Sequence, residues 1–206
     1  MKSFFSILFV TLFSISSVSA QNSGKLTKTG KDLIEQNDFS AALVKLNEAI
    51  ELDKENAMAY YLRGVIKNRL GDEIGALKDL DMSVKYNPVL HQAYFERGNV
   101  NYELLRFESA IKDYSKTLEI NDDMIDAYYN RGQAKLRISA YNEAIGDCDK
   151  IIEKNPKSVD AYFLRGIIKI EYGMLEAGCK DLSKAGELGD LKAYDEINAK
   201  CKSVRY

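Results

Sequence analysis

The segment Ala59-Tyr60-Tyr61-Leu62-Arg63-Gly64 returns with few changes as Ala93-Tyr94-Phe95-Glu96-Arg97-Gly98, Ala127-Tyr128-Tyr129-Asn130-Arg131-Gly132 and Ala161-Tyr162-Phe163-Leu164-Arg165-Gly166. Successive glycines stand 34 residues apart each time. A fixed period of this length means one supersecondary unit stacked on copies of itself. One further step back from Gly64 reaches Gly30, which opens a weaker first copy with Leu26 in place of the tyrosine.

A second register keeps the same step. Ala42, Ala76, Ala110 and Ala144 each come twelve residues after the repeat's glycine, and Leu46, Leu80, Tyr114 and Cys148 stand four further on. Each copy reads as two amphipathic helices, the second apolar at helical spacing, as in Ile74, Leu77, Leu80 and Val84. Breakers such as Leu70-Gly71-Asp72 and Tyr172-Gly173 separate them, and Pro88 and Pro156 close the second helix in their copies. Gly64 and Ala76 lie at matching heights of the hairpin and let its helices approach closely, while Tyr60 and Leu80 fill the space one turn along.

This pattern resembles the tetratricopeptide-repeat family over nearly the whole chain after residue 20. Five copies are readable, at roughly 23–56, 57–90, 91–124, 125–158 and 159–190. The departures are Tyr or Leu where the family often has Trp, Lys54 and Asp122 where Pro is usual, and Gly178 where the fifth copy should have Ala. The resemblance implies an all-α fold, a right-handed α-solenoid of about five helix hairpins. Gly189-Asp190 is a breaker joined to a good N-cap. A capping helix is expected after it, from Leu191 to about Lys202 within a segment 191–206 of helix and tail, with Leu191, Tyr194, Ile197 and Cys201 on its inner face.

In that family the first helices line a concave groove that takes a peptide or protein segment. The corresponding column here is aromatic in every full copy: Tyr61, Phe95, Tyr129 and Phe163. Its other candidate contacts are Arg69, Asn99, Tyr102, Asn130 and Gln133, with Leu62, Glu96, Leu164, Val65, Ile167, Glu103 and Arg137 nearby. Rings with amides between them suit an extended peptide, the rings supplying apolar area and the amides bonding its backbone. The same column could equally pack adjacent first helices together. The family's Lys/Asn/Asn/Lys/Arg clamp for the C-terminal carboxylate of cytosolic heat-shock chaperones is broken. Asn99 and Asn130 match it, but Phe95, Asp160 and Leu164 stand at the basic places.

Arg63, Arg97, Arg131 and Arg165 form one column, and Asp79, Asp113, Asp147 and Asp181 another, sixteen residues on. The hairpin turn falls midway, so structural ion pairs within a copy or to its neighbour are expected. The first copy has Thr29 and Lys45 at these places and should be the loosest. Of the three cysteines, Cys179 stands where earlier copies have Leu43, Leu77, Ile111 and Ile145, a position that packs on the next element of the stack. For the fifth copy that next element is the cap carrying Cys201, so a Cys179–Cys201 disulfide is expected. Cys148 is expected as a buried free thiol.

The first twenty residues read as an export signal: Lys2, an apolar run from Phe4 to Ile15, then Val18 and Ala20 in the small-residue pattern of a cleavage site. Cleavage after Ala20 would leave Gln21 to Tyr206 outside the cytoplasm, periplasmic or secreted, and would change the formal charge from −2 to −3 with the loss of Lys2. A weakly acidic chain of mixed signs lacks the basic field of a nucleic-acid binder. The only histidine is His91, and no Gly-rich phosphate loop, zinc motif or nucleophile elbow occurs, so neither catalysis, a cofactor nor a metal is expected. The expected function is a scaffold or adaptor binding protein or peptide, most simply as a monomer. The alternative is a structural subunit of a cell-envelope assembly that uses its convex face and ends.

Overall fold

The structure is a computed structural model that describes the backbone of residues 2–202 and the side chains of residues 18–202. The side chains of the apolar run Phe4 to Ile15 and the tail 203–206 lie outside the described residues. Among the described residues there are eleven α-helices and no strand, an all-α helical repeat fold. The first helices of the five hairpins are α1 (Lys2–Glu35), α3 (Ala57–Arg69), α5 (His91–Glu103), α7 (Ile125–Arg137) and α9 (Val159–Glu171). The second helices are α2 (Phe39–Leu52), α4 (Glu73–Tyr86), α6 (Phe107–Ile120), α8 (Tyr141–Lys154) and α10 (Leu175–Glu187). The last helix is α11 (Leu191–Lys200). Contacts divide the chain into two compact units, residues 1–100 and 101–206.

Two repeating devices stop these helices. Each first helix ends on a residue in the left-handed region: Asn37, Gly71, Leu105, Ser139 and Gly173, with φ between 58° and 91°. The amide after each of them donates to a carbonyl five residues back, as Asp72 N does to Lys67 O at 2.9 Å, which satisfies the orphan carbonyls of the last turn. Each second helix through α8 ends on an Asx residue. The carboxylate or amide oxygens of Asp53, Asn87, Asn121 and Asn155 accept from the amide two residues on. That stop operates where Lys54 and Asp122 replace proline as well as before Pro88 and Pro156. α1 is longer than the other first helices because no Gly, Pro, Asn or Asp lies between Lys2 and Gln21 to break it.

In the first unit, Ala42, Leu46, Ala49 and Ile50 of α2 pack against Ala59, Tyr60, Leu62 and Ile66 of α3. A Cβ on Gly64 would stand 2.9 Å from Leu80 Cγ, so the glycine makes room for that leucine. Ile74 departs from expectation. It is 65% exposed, whereas Ala76, Leu80 and Ser83 face inward. Ile74 lies in the first turn of α4, two residues past the capping Asp72.

In the second unit, Ala144 and Cys148 of α8 pack with Leu164 and Ile168 of α9. Cys179 and Leu182 of α10 meet Cys201, with Phe163, Ile167, Ile170 and Ile197 around them. The Cys179 and Cys201 sulfurs are at disulfide distance, with Cα atoms 5.9 Å apart. Cys148 is free and fully buried, and burial pushes its thiol up to about 12. The inner face of α11 differs from expectation. Ala193, Ile197 and Cys201, spaced by fours, turn inward, while Leu191 is 78% exposed. Asp190 caps the helix through Lys192 N, which makes Leu191 its first residue and points it outward. Tyr194 lies half-exposed over Gly186, where a Cβ would be 2.8 Å from its ring.

Candidate functional site

On the first unit, α1, α3 and α5 border an open hollow of about 460 Å³. Gly24, Thr27, Lys28 and Lys31 of α1, Met58, Tyr61 and Leu62 of α3, and Gln92 of α5 line it. These positions belong to shared registers: Gly24, Met58 and Gln92 are 34 residues apart in turn, as are Thr27 and Tyr61, and Lys28 and Leu62. Lys28 and Lys31 are exposed and make no ion pair among the described residues, whereas Lys45 and Lys67 of the same unit are paired. The hollow is therefore cationic on its α1 side and apolar on its α3 side.

Of the expected groove residues, Tyr61 and Leu62 line this hollow. Tyr61 also packs partly against the α2–α3 core, so the ring has an architectural share. Burial and the nearby Glu96 carboxylate push its hydroxyl up to about 12, against the opposing pull of Arg69. Arg69 is exposed and lies over the Phe39 ring at 5.8 Å, away from the hollow's lining. Leu62, at 8% exposure, forms both floor and core. Phe95 is half-buried on α5, and Asn99 beside it donates to Glu96 at 3.3 Å.

The remaining expected residues belong to the second unit. Tyr129 packs against the α8–α9 cluster and bonds Gln133, and burial raises its hydroxyl. Tyr102 meets Phe107 edge-on at 5.4 Å. Asn130 is half-buried on α7, and Phe163 packs beside Cys179, Leu182 and Cys201. In this unit Tyr129 and Phe163 of the aromatic column both pack beside core clusters.

The charged columns form a lattice richer than their sixteen-residue offset alone implies. Arg63 grips Asp79 with two bonds of 2.7 and 2.8 Å, and reaches back to Asn47 of the preceding hairpin at 2.7 Å. Arg131 does the same with Asp147 and Ser115, and Arg165 with Asp181 and Asp149. Arg97 pairs with Asp81, and Asp113 accepts from Asn101. Lys67, Lys135 and Lys169 add a second cation to Asp79, Asp147 and Asp181. Each arginine also lies over the tyrosine three residues before it, at 5.3 to 5.5 Å. The backward contacts at Asn47, Asp81, Ser115 and Asp149 keep the 34-residue step, and Arg63, Arg131 and Arg165 each tie two successive second helices together. In the first copy Thr29 donates to the Lys25 carbonyl of its own helix and Lys45 pairs with Glu48, and among the described residues no such tie joins them. His91 is half-buried at the start of α5. Among the described residues no cluster of His, Cys, Asp or Glu could hold a metal ion, and no helix is long and apolar enough to cross a membrane.

Family models for the TPR repeat match residues 30–71, and for the tetratricopeptide repeat residues 95–159. No curated protein sequence matches the chain. Among solved structures the fold is similar to that of YrrB, described as a TPR protein with an unusual peptide-binding site. The TM-score is 0.78 at 19% identity, covering 84% of this chain and 90% of that one. It is also similar to MamA, with a TM-score of 0.75 at 21% identity over 90% of this chain and 98% of that one. The first TPR domain of Spaghetti (RPAP3), bound to the HSP90 peptide SRMEEVD, gives a TM-score of 0.56 at 22% identity, covering 58% of this chain and 95% of that one.

Proposed function

Because the chain belongs to the tetratricopeptide-repeat family, whose members generally mediate protein–protein interactions, we propose that it is a scaffold that holds a peptide or protein segment against its first helices. The observation that carries this reading is the hollow on α1, α3 and α5, with exposed Lys28 and Lys31 beside Met58, Tyr61 and Leu62. A segment that presents an acidic group next to an apolar side chain matches both halves of that surface. The peptide site ascribed to YrrB and the peptide bound to the Spaghetti domain support a peptide as the ligand class.

The test is fluorescence polarisation of labelled peptides of graded charge against the chain from Gln21 to Tyr206. The variant to compare is Lys28→Glu with Lys31→Glu, since both side chains are exposed and touch no core. Lys112→Glu with Lys180→Glu, exposed on second helices, is the control. Binding that weakens with the first pair and with added salt, but not with the control, supports the reading. Equal affinity for all three proteins sinks it.

A second reading, a structural subunit of an envelope assembly working through its outer surfaces, is favoured by Leu105. This residue is 65% exposed at a hairpin turn and sits at φ 58°, where its copies are Asn, Gly, Ser and Gly. A large apolar side chain held in water at a strained position suits contact with another molecule. We also propose that residues 1–20 are an export signal removed after Ala20, which leaves a periplasmic or secreted protein. The cysteine pair at disulfide distance supports an oxidising destination.

A further inference from the structure

We propose that Gln21 becomes a pyroglutamate, so that the exported chain carries no free α-amine. The inference rests on the removal of residues 1–20 proposed above. Its structural ground is where the packing of α1 would begin once residues 1–20 are gone, since the Ser19 hydroxyl, which donates to Leu52 O at 2.7 Å, leaves with them. Ser23 is fully buried; its hydroxyl donates to Ala49 O at 2.7 Å and accepts from Asn56 Nδ2 at 2.8 Å. The same amide donates to Thr27 Oγ1 at 2.9 Å. The helix is thus fastened from Ser23 onward. Ahead of that fastening only two residues would remain, Gln21 and Asn22, both exposed.

The α-amine and the γ-amide of Gln21 would share that short, solvated stub. The amine nitrogen attacks its own Cδ, a five-membered lactam closes, and the amide nitrogen leaves as ammonia. The step consumes no co-reactant and changes no oxidation state. It exchanges a protonated amine for a neutral ring at the positive end of α1, where a cation is disfavoured by the helix dipole and an uncharged group is not. In the cleaved chain nothing described blocks the ring, because Gln21 and Asn22 are exposed and the first hydrogen bond left from α1 to α2 is that of Ser23.

The experiment is mass spectrometry of the N-terminal peptide of the full chain, expressed with its own first twenty residues and recovered after export. A peptide that begins at residue 21, is one ammonia lighter than its sequence, and resists aminopeptidase until pyroglutamyl peptidase is added is the expected result. Export of a Gln21→Ser variant should give the same start with an open amine. A native peptide that begins at Gln21 with a free amine overturns the cyclisation and leaves the export reading standing. A peptide that begins elsewhere, or an uncleaved chain, overturns the export reading and this inference with it.

Discussion

Glycine at position 178 is the sharpest departure of this chain from its own repeat, because earlier copies carry Ala42, Ala76, Ala110 and Ala144 there. Restoring the alanine should destabilise the protein. A Cβ at Gly178 would stand 2.7 Å from Gly166 O, 2.6 Å from Ile170 Cγ1 and 3.0 Å from Ile170 N. Two of these three neighbours are backbone, so relief requires α10 to move off α9 by roughly 0.7 Å, the gap to ordinary contact. Overpacking of this kind costs about 1–3 kcal/mol, and the backbone clash places it near the top of that range. The gain in helix propensity from Gly to Ala offsets about 1 kcal/mol of it. Gly132→Ala is the matched control in the same unit. Its Cβ would meet nothing closer than 3.6 Å, because Cys148 stands where other copies have Leu46 and Leu80. There the propensity gain is unopposed, so Gly132→Ala should stabilise by up to about 1 kcal/mol. The two variants should differ by roughly 3 kcal/mol, the overpacking cost itself, in opposite directions from the parent. Urea unfolding monitored by circular dichroism gives the global values. Amide hydrogen exchange in α7–α8 and α9–α10 locates them, which matters in a repeat array whose ends can open separately. If Gly178→Ala stabilises as much as Gly132→Ala, the close approach of α9 and α10 is not real.

Asp147→Ala should cost about 3–5 kcal/mol in chemical denaturation, since it leaves Arg131 and Lys135, both largely buried, without their shared carboxylate. Glu153→Ala, which removes a solvated partner of Lys150, should leave stability unchanged. Leu105→Gly should stabilise by about 1 kcal/mol, because an L-residue in the left-handed region is strained and this side chain is mostly in water. A fall in melting temperature would show that Leu105 packs on something. Cys179→Ala with Cys201→Ala should lose roughly 3 kcal/mol if the pair forms a disulfide, for a loop with a sequence separation of 22. The loss should appear first as faster amide exchange in α11. Tyr61 has a folded pKa raised to about 12 from an ordinary value of 10, so its neutral form is favoured by folding. That contribution is whole below pH 10 and disappears as pH rises through 12. Tyr61→Phe should therefore flatten the alkaline limb of the stability curve, and an unchanged limb refutes the burial of that hydroxyl.

The fold is legible because a repeat writes its architecture several times. The 34-residue step defines the hairpins, and small residues at matching heights place Gly64 against Leu80 and Ala76. The ends of the second helices are less plain. Pro88 and Pro156 suggest a proline stop, yet Asp53, Asn87, Asn121 and Asn155 make the same stop with or without proline. That column keeps the same step, but Asx residues are common and signal little by themselves, whereas two prolines in the whole chain draw notice. The arginine lattice is half legible. The sixteen-residue offset forward to Asp joins residues of one kind, while the equal offset backward reaches Asn47, Asp81, Ser115 and Asp149. Those residues differ in chemistry, and only the arginine's several donors unite them.

The candidate site is the least legible part, and the cause lies in the first copy. The aromatic column is plain from Tyr61 onward, where the repeat is strong. Taken one period back, the same registers land on Thr27, Lys28 and Gly24, which have no apolar signature to mark them. Lys28 and Lys31 make no ion pair among the described residues, while Lys67, Lys135 and Lys169 in later copies are bound by the carboxylates of the lattice. In this protein the positions that depart from the repeat, Lys28, Lys31, Leu105 and Gly178, are the ones where scaffold and surface chemistry part, and the binding site we propose lies at the first two.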